Sequence, residues 1–131
     1  MAGHPNEDLL RRGYDAFSRG DMATLRELIA SDAVWHQPGK SPLAGHYEGI
    51  DGILEYFMEL FRQSEGTFKV ELHDVLADDE HGVALQHATA QRSGKTWDSN
   101  DVIVFHVSDG KTTAAWFHPG DQYAFDAFWS D

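Results

Sequence analysis

The 131-residue chain has no cysteine, which excludes disulfide staples, thiolate nucleophiles and cysteine-ligated zinc. Cations are few: 10 Lys and Arg stand against 22 Asp and Glu, for a formal charge of −12. No basic stripe interrupts that balance, so a phosphate backbone or an anionic membrane surface would be repelled, and neither nucleic acid nor membrane is expected as a partner. No apolar run approaches the roughly 20 residues needed to span a bilayer. The opening residues, Met1 to Asp8, lack the basic and apolar stretches of a signal peptide, and a cytoplasmic location is the expectation.

What is present is an ordinary globular balance, 41% hydrophobic and 24% charged, in a length that fits a single domain over 1–131. Leu9, Leu10, Tyr14 and Phe17 recur at near-helical spacing behind Asn6, the expected N-cap. Gly20 stops that helix, and Asp21 caps a second whose stripe is Met22, Leu25, Leu28 and Ile29. A short strand, Ala33 to Gln37, ends at Pro38-Gly39, and 39–49 reads as loop. Ile50, Ile53, Leu54, Phe57, Leu60 and Phe61 then form the apolar stripe of the clearest helix. Four strands follow at about 68–77, 82–92, 95–108 and 111–118. The turns between them include Ser93-Gly94 and Asp109-Gly110, the latter suited to the positive φ angles of a type I′ hairpin. Asp121 is placed to cap a terminal helix carrying Phe125, Phe128 and Trp129. Helices followed by a meander of long strands imply an α+β domain with helices on one face of the sheet.

This order of elements resembles the nuclear transport factor 2-like superfamily, and most nearly its SnoaL-like polyketide cyclase and ketosteroid isomerase branch. The residues that carry the resemblance are Trp35-His36-Gln37-Pro38-Gly39, Pro42-Leu43-Ala44-Gly45, Gly49-Ile50, Val70 to Val75, Asp109-Gly110-Lys111 and Trp116, within a span from Asn6 to Trp129. The resemblance implies a cone-shaped, curved, mostly antiparallel sheet of the cystatin-like or nuclear transport factor 2-like kind, with N-terminal helices on its concave face. It also implies a pocket inside the cone and a homodimer through the sheet's outer face.

Register can be worked out from the turns. A two-residue loop at Asp109-Gly110 pairs Phe105 with Ala114, Ile103 with Trp116 and Asp101 with His118. On that register Asp101, Ile103, Phe105, Trp116 and His118 share one face, and Asp101 with His118 is a candidate acid–base pair on an apolar wall. The alternative is a partly solvated cross-strand pair of little energetic consequence. The resemblance places Asp101 where ketosteroid isomerases carry a protonated aspartate that donates to the substrate oxyanion. It places Gln37 at the isomerase's general base, where an amide cannot take up a proton at useful pH. The isomerase tyrosine falls at Gly13, beside Tyr14. With two of those three positions changed, ketosteroid isomerase activity itself is not expected.

Trp35 and His36 are also typical of SnoaL-like proteins, but neighbours on a regular strand face opposite ways, so only one of them lines the pocket. A two-residue turn at Ser93-Gly94 pairs His87 with Asn100 and Gln86 with Asp101; His87 reaches the pocket only if a bulge reverses that parity. Tyr14, Gln37, Phe57, Ile103, Phe105 and Trp116 complete the expected lining. No metal-ligand spacing or nucleotide loop occurs, so neither metal nor cofactor is expected. Two functions follow. One is cofactor-free acid–base chemistry on a small apolar or cyclic carbonyl compound by Asp101, His118 and His36, of an isomerase, cyclase or hydratase type. The other is a non-catalytic ligand-binding or dimerisation module.

Overall fold

The computed structural model describes residues 4–131. Its elements are α1 (Pro5–Arg19), α2 (Met22–Leu28), β1 (Ile29–Gln37), β2 (Gly45–Glu48), α3 (Gly49–Gln63), β3 (Lys69–Ala77), β4 (His81–Arg92), β5 (Lys95–Ser108), β6 (Lys111–His118) and α4 (Gln122–Trp129). The strands form one six-stranded sheet in the order β2-β1-β6-β5-β4-β3, antiparallel throughout except where β1 runs parallel to β6. The expected α+β architecture is the observed one, a curved sheet with helices against its inner face.

Local chemistry accounts for most element ends. Gly20 closes α1 at a φ of 68°, and the Asp21 side chain accepts from the Thr24 N–H to start α2. Ser93-Gly94 and Asp109-Gly110 both hold positive φ at each position, which matches the twist of the strands they join. Asp121 caps α4 through the Ala124 N–H. The expected cap at Asn6 is corrected to His4, whose Nδ1 accepts from the Asn6 N–H while the Glu7 carboxylate accepts from the His4 N–H. Pro5 fills the first helical position, where its missing N–H costs nothing. The 39–49 segment also holds more than loop, because Gly45 to Glu48 pairs antiparallel with β1 as a short edge strand.

The consequential correction lies in the last hairpin. Ser108 faces Lys111 and Val107 faces Thr112 as expected, but His106 then faces Ala114, so Thr113 is an extra residue in β6. A single inserted residue reverses the parity of everything beyond it. Ile103 therefore pairs with Phe117 and Phe105 with Ala115, all four buried, while Trp116 and His118 turn to the outer face.

The inner face of the sheet and the apolar sides of α1, α3 and α4 share one core. Phe17 of α1 meets Phe57 edge-on at 5.1 Å, and Phe57 meets Trp35 of β1 at 5.3 Å. Gly82 allows α1 to sit this close to β4, since a side chain there would collide with Leu10. Phe117 and Trp97 receive Phe125 of α4, each at about 5.3 to 5.5 Å.

Candidate functional site

Between the helices and the sheet the core leaves a cavity of about 110 Å³ with almost entirely apolar walls. Trp35, Phe57, Ile103 and Phe105, expected to line it, do so. So do Tyr14 and Asp101, together with Gln86, and these three form its polar edge.

Each polar group comes from a different element. Tyr14 lies on the face of α1 set by Leu10 and Phe17, and its hydroxyl donates to Gln86 Oε1 at 2.6 Å. Gln86 faces Asp101 across the β4–β5 ladder, and its Nε2 lies 3.5 Å from Asp101 Oδ2, at the outer limit of a hydrogen bond. Asp101 is 2% exposed, and its Oδ1 accepts from Ser99 Oγ at 2.6 Å and from the Gly120 N–H at 3.1 Å. Gly120 must lack a side chain for that approach, as a Cβ there would stand 2.5 Å from the Asn100 carbonyl oxygen. Oδ1 is thus fully engaged, and Oδ2 keeps capacity for a further donor. Burial, with the charge of Asp101 as a smaller contribution, pushes the Tyr14 hydroxyl far above its ordinary range, so it acts as a neutral donor.

A second polar group lies beside Trp35. Gln37 is 3% exposed, and its Oε1 accepts from Tyr56 OH at 2.6 Å and from Trp35 Nε1 at 2.9 Å. Trp35 and Tyr56 line the cavity, and Gln37, expected to line it as well, is instead held behind their polar edges by the bonds it accepts from them. Burial first, with the charge of Asp101 as a smaller contribution, raises Tyr56 well above the usual phenol range.

The histidines do not join this site. His36, expected as a partner base, is on the outer face because Trp35 takes the inner one. There it stacks on Trp116 at 4.7 Å and 7° and meets His46 edge-on at 4.5 Å. Its pKa is lowered, first by burial and then by His46. His118 and Trp116 are outward because of the Thr113 bulge, so Asp101 and His118 do not meet. His87 keeps the unbulged parity of β4–β5 and lies outside, with Nδ1 2.9 Å from Asn100 Oδ1 and Nε2 3.2 Å from Asp98 Oδ1. Among the described residues no three histidines, aspartates or glutamates converge as metal ligands, and no helix is long and apolar enough to cross a membrane.

Sequence reasoning passes over Ser99, Gly120 and Tyr56. Ser99 was accessible by parity, two residues before Asp101 on the same strand face. Tyr56 falls outside the stripe of α3 and is buried because Tyr47 of β2 covers that flank, with ring centroids 4.6 Å apart. β2 itself has no clear sequence signal, so its effect on α3 has none either.

The chemistry of the cavity is accordingly narrow. Its lining offers one carboxylate, two neutral phenols and one amide among apolar side chains, and includes no imidazole. Comparison with known proteins agrees with the architecture. The uncharacterized protein Rv0034 of Mycobacterium tuberculosis is 35% identical over 99% of this chain and 100% of its own length. The structure of Bal32a, from a soil-derived mobile gene cassette, is 40% identical, with a TM-score of 0.92 over 95% of this chain and 96% of that one. A Xanthomonas campestris protein of unknown function with a cystatin-like fold is 28% identical, with a TM-score of 0.88 over 95% and 97%. The family model for the SnoaL-like domain matches residues 10–115, and with that the chain belongs to the SnoaL-like family.

Proposed function

We propose that the chain binds a small, neutral, mostly apolar cyclic molecule in the cavity and holds its polar atom at Asp101. The observation that carries this reading is the buried chain Tyr14–Gln86–Asp101 at the edge of an otherwise apolar enclosure. A carboxylate held there by Ser99 and Gly120, with Oδ2 free for another donor, supports orientation of a ligand. It also supports proton transfer next to a carbonyl without a cofactor, the second reading, in which Asp101 is the proton-transfer group. The absence of a base at Gln37 and of any imidazole on the cavity wall favours binding as the primary role. The outer face of the sheet, with Trp116 beside Val102 and Val104, supports self-association into a homodimer.

A thermal-shift screen of cyclic ketones and phenols, on wild type and Asp101→Asn together, tests the site. Ligands are expected to raise the wild-type midpoint and to lose much of that effect in the variant. The two readings separate on exchange of the hydrogens next to a bound ketone's carbonyl for solvent deuterium. Exchange above the buffer rate that falls about 100-fold or more in Asp101→Asn establishes proton transfer, and binding without exchange establishes a binding module. Stabilisation indifferent to Asp101 would remove it from the site.

A further inference from the structure

Gly13 makes no use of a glycine's backbone freedom. It stands in the interior of α1 without a positive φ, where only proline is a poorer helix former. Gly82, in the same helix–sheet interface, is required because a side chain there would collide with Leu10. Gly13 has no such neighbour among the described residues. A Cβ built on it clears the side chains of Leu9, Leu10 and Phe17, and every atom of the sheet, by more than 4 Å.

That clearance is not on the solvent side of the helix. At about 3.6 residues per turn, Gly13 falls near the middle of the arc that runs from Ala16 and Leu9 through Phe17 and Leu10 to Tyr14. The arc is the face that α1 turns to the core, with Leu9, Leu10 and Ala16 buried. Gly13 lines the cavity beside Leu9, Leu10, Tyr14 and Phe17. The space a side chain would take is therefore part of the cavity itself.

The next residue crosses the same gap. Tyr14 reaches from α1 to Gln86 on the sheet, and Gln86 lies beside Asp101. A ring whose hydroxyl donates to Asp101 Oδ2 starts at the sheet and runs back toward α1 alongside Tyr14, where the bare backbone of Gly13 receives its far edge. Size limits the molecule to one ring, since an apolar cavity of about 150 Å³ takes benzene and this one holds about 110 Å³. A ring that fills so small a space cannot avoid Gly13. With Tyr14, Trp35 and Phe57 on the walls, an aromatic ring is favoured.

Resting on the pocket reading above, we infer that Gly13 is the specificity-determining residue of the site. It admits a neutral single-ring phenol whose hydroxyl donates to Asp101 Oδ2 and whose para edge packs on the α1 backbone. A side chain at position 13 would exclude that edge, so the helix gives up stability for room.

Phenol and p-cresol, which differ by one methyl group at that edge, are titrated by NMR against wild type, Gly13→Ala and Gly13→Leu. Wild type is expected to bind p-cresol at least as tightly as phenol. In Gly13→Ala two methyl groups compete for one space, so p-cresol should weaken about tenfold more than phenol. Gly13→Leu should fill the space and lose both. The free Gly13→Ala protein should melt about 3 °C higher, because alanine is the better helix former and meets nothing. In wild type the methyl group of bound p-cresol should show cross-relaxation to the Gly13 α-protons, a reading that needs no variant. A Gly13→Ala protein that melts lower would show that the glycine serves packing. An unchanged ratio of p-cresol to phenol affinity, or no cross-relaxation to Gly13, would show that the ligand lies elsewhere. Each of these overturns the inference and leaves the pocket standing. If neither phenol binds wild type, the pocket reading fails and takes the inference with it.

Discussion

Tyr14 shows how much a single hydroxyl carries in an apolar enclosure. Replacing it with Phe keeps the ring against the core but leaves Gln86 Oε1 buried without its donor at 2.6 Å. The expected loss is about 1 kcal/mol of folding free energy, read from urea midpoints at unchanged slope. An effect below about 0.3 kcal/mol would mean that solvent reaches the amide and that the site is wetter than its walls imply. The outer face makes a different residue-scale prediction, because two of its histidines shift in opposite directions. His36 has a folded pKa below its unfolded value of about 6.5, so its contribution to stability is present above that pH and is lost as pH falls through the folded value. His87 is raised, mainly by its hydrogen bond to Asn100 and with help from the charges of Asp98, Glu71 and Asp101. Its contribution is complete below about 6.5 and disappears as pH rises through the folded value. Thermal midpoints from pH 5 to 8 should therefore fall less steeply on the acid side in His36→Phe, which preserves the stack on Trp116. His87→Gln should instead lose stability selectively at the acid end. Parallel profiles for all three proteins would show that neither histidine is coupled to folding.

At the scale of elements, the same hairpin was both the most legible part of the chain and the source of its largest misreading. Asp109-Gly110 specifies the turn through positive φ, and strands at 95–108 and 111–118 follow from it directly. The Thr113 bulge has no comparable signature. Beyond Thr112 both parities carry an alanine and an aromatic residue, Ala114 with Trp116 or Ala115 with Phe117, so the hydrophobic pattern does not choose between them. The choice is made by distant elements, above all by Phe125 of α4, which packs on Phe117 at 5.3 Å. β4–β5 has no bulge, and there the turn alone placed Gln86 opposite Asp101 correctly. The carboxylate was therefore readable from sequence, its supposed imidazole partner was not, and the difference is one inserted residue. Deleting Thr113 should force β6 into the unbulged register, bring Trp116 inward and cost more than about 4 kcal/mol, or abolish a cooperative transition. Thr113→Ala removes only a 3.3 Å contact to the exposed His106 carbonyl and should stay within about 0.5 kcal/mol of wild type. Comparable losses from deletion and substitution would show that the side chain, not the extra residue, fixes the register.

Taken whole, the molecule segregates its chemistry between the two faces of one sheet. The concave face is enclosed by helices and holds the carboxylate, the amides and the phenols. The outer face carries Val102, Val104 and Trp116 with the imidazoles of His36 and His106 against the Trp116 ring. With a net charge of −12, two copies repel each other at long range, so a homodimer must be held by these side chains at contact distance. Screening weakens the repulsion and leaves apolar contact largely untouched, because the Debye length shortens from about 20 Å near 0.02 M salt to about 8 Å at 0.15 M. Sedimentation should accordingly show a dimer of the 14.7 kDa chain that tightens as salt is raised over this range. Val104→Glu and Trp116→Glu should each yield monomer, since a carboxylate at either position would be buried without a partner in the joined face. Both variants leave the cavity wall intact, so their affinity for a pocket ligand should match wild type. A wild-type monomer at every salt concentration would remove the outer face as a self-association surface, and a dimer indifferent to both substitutions would place the contact elsewhere.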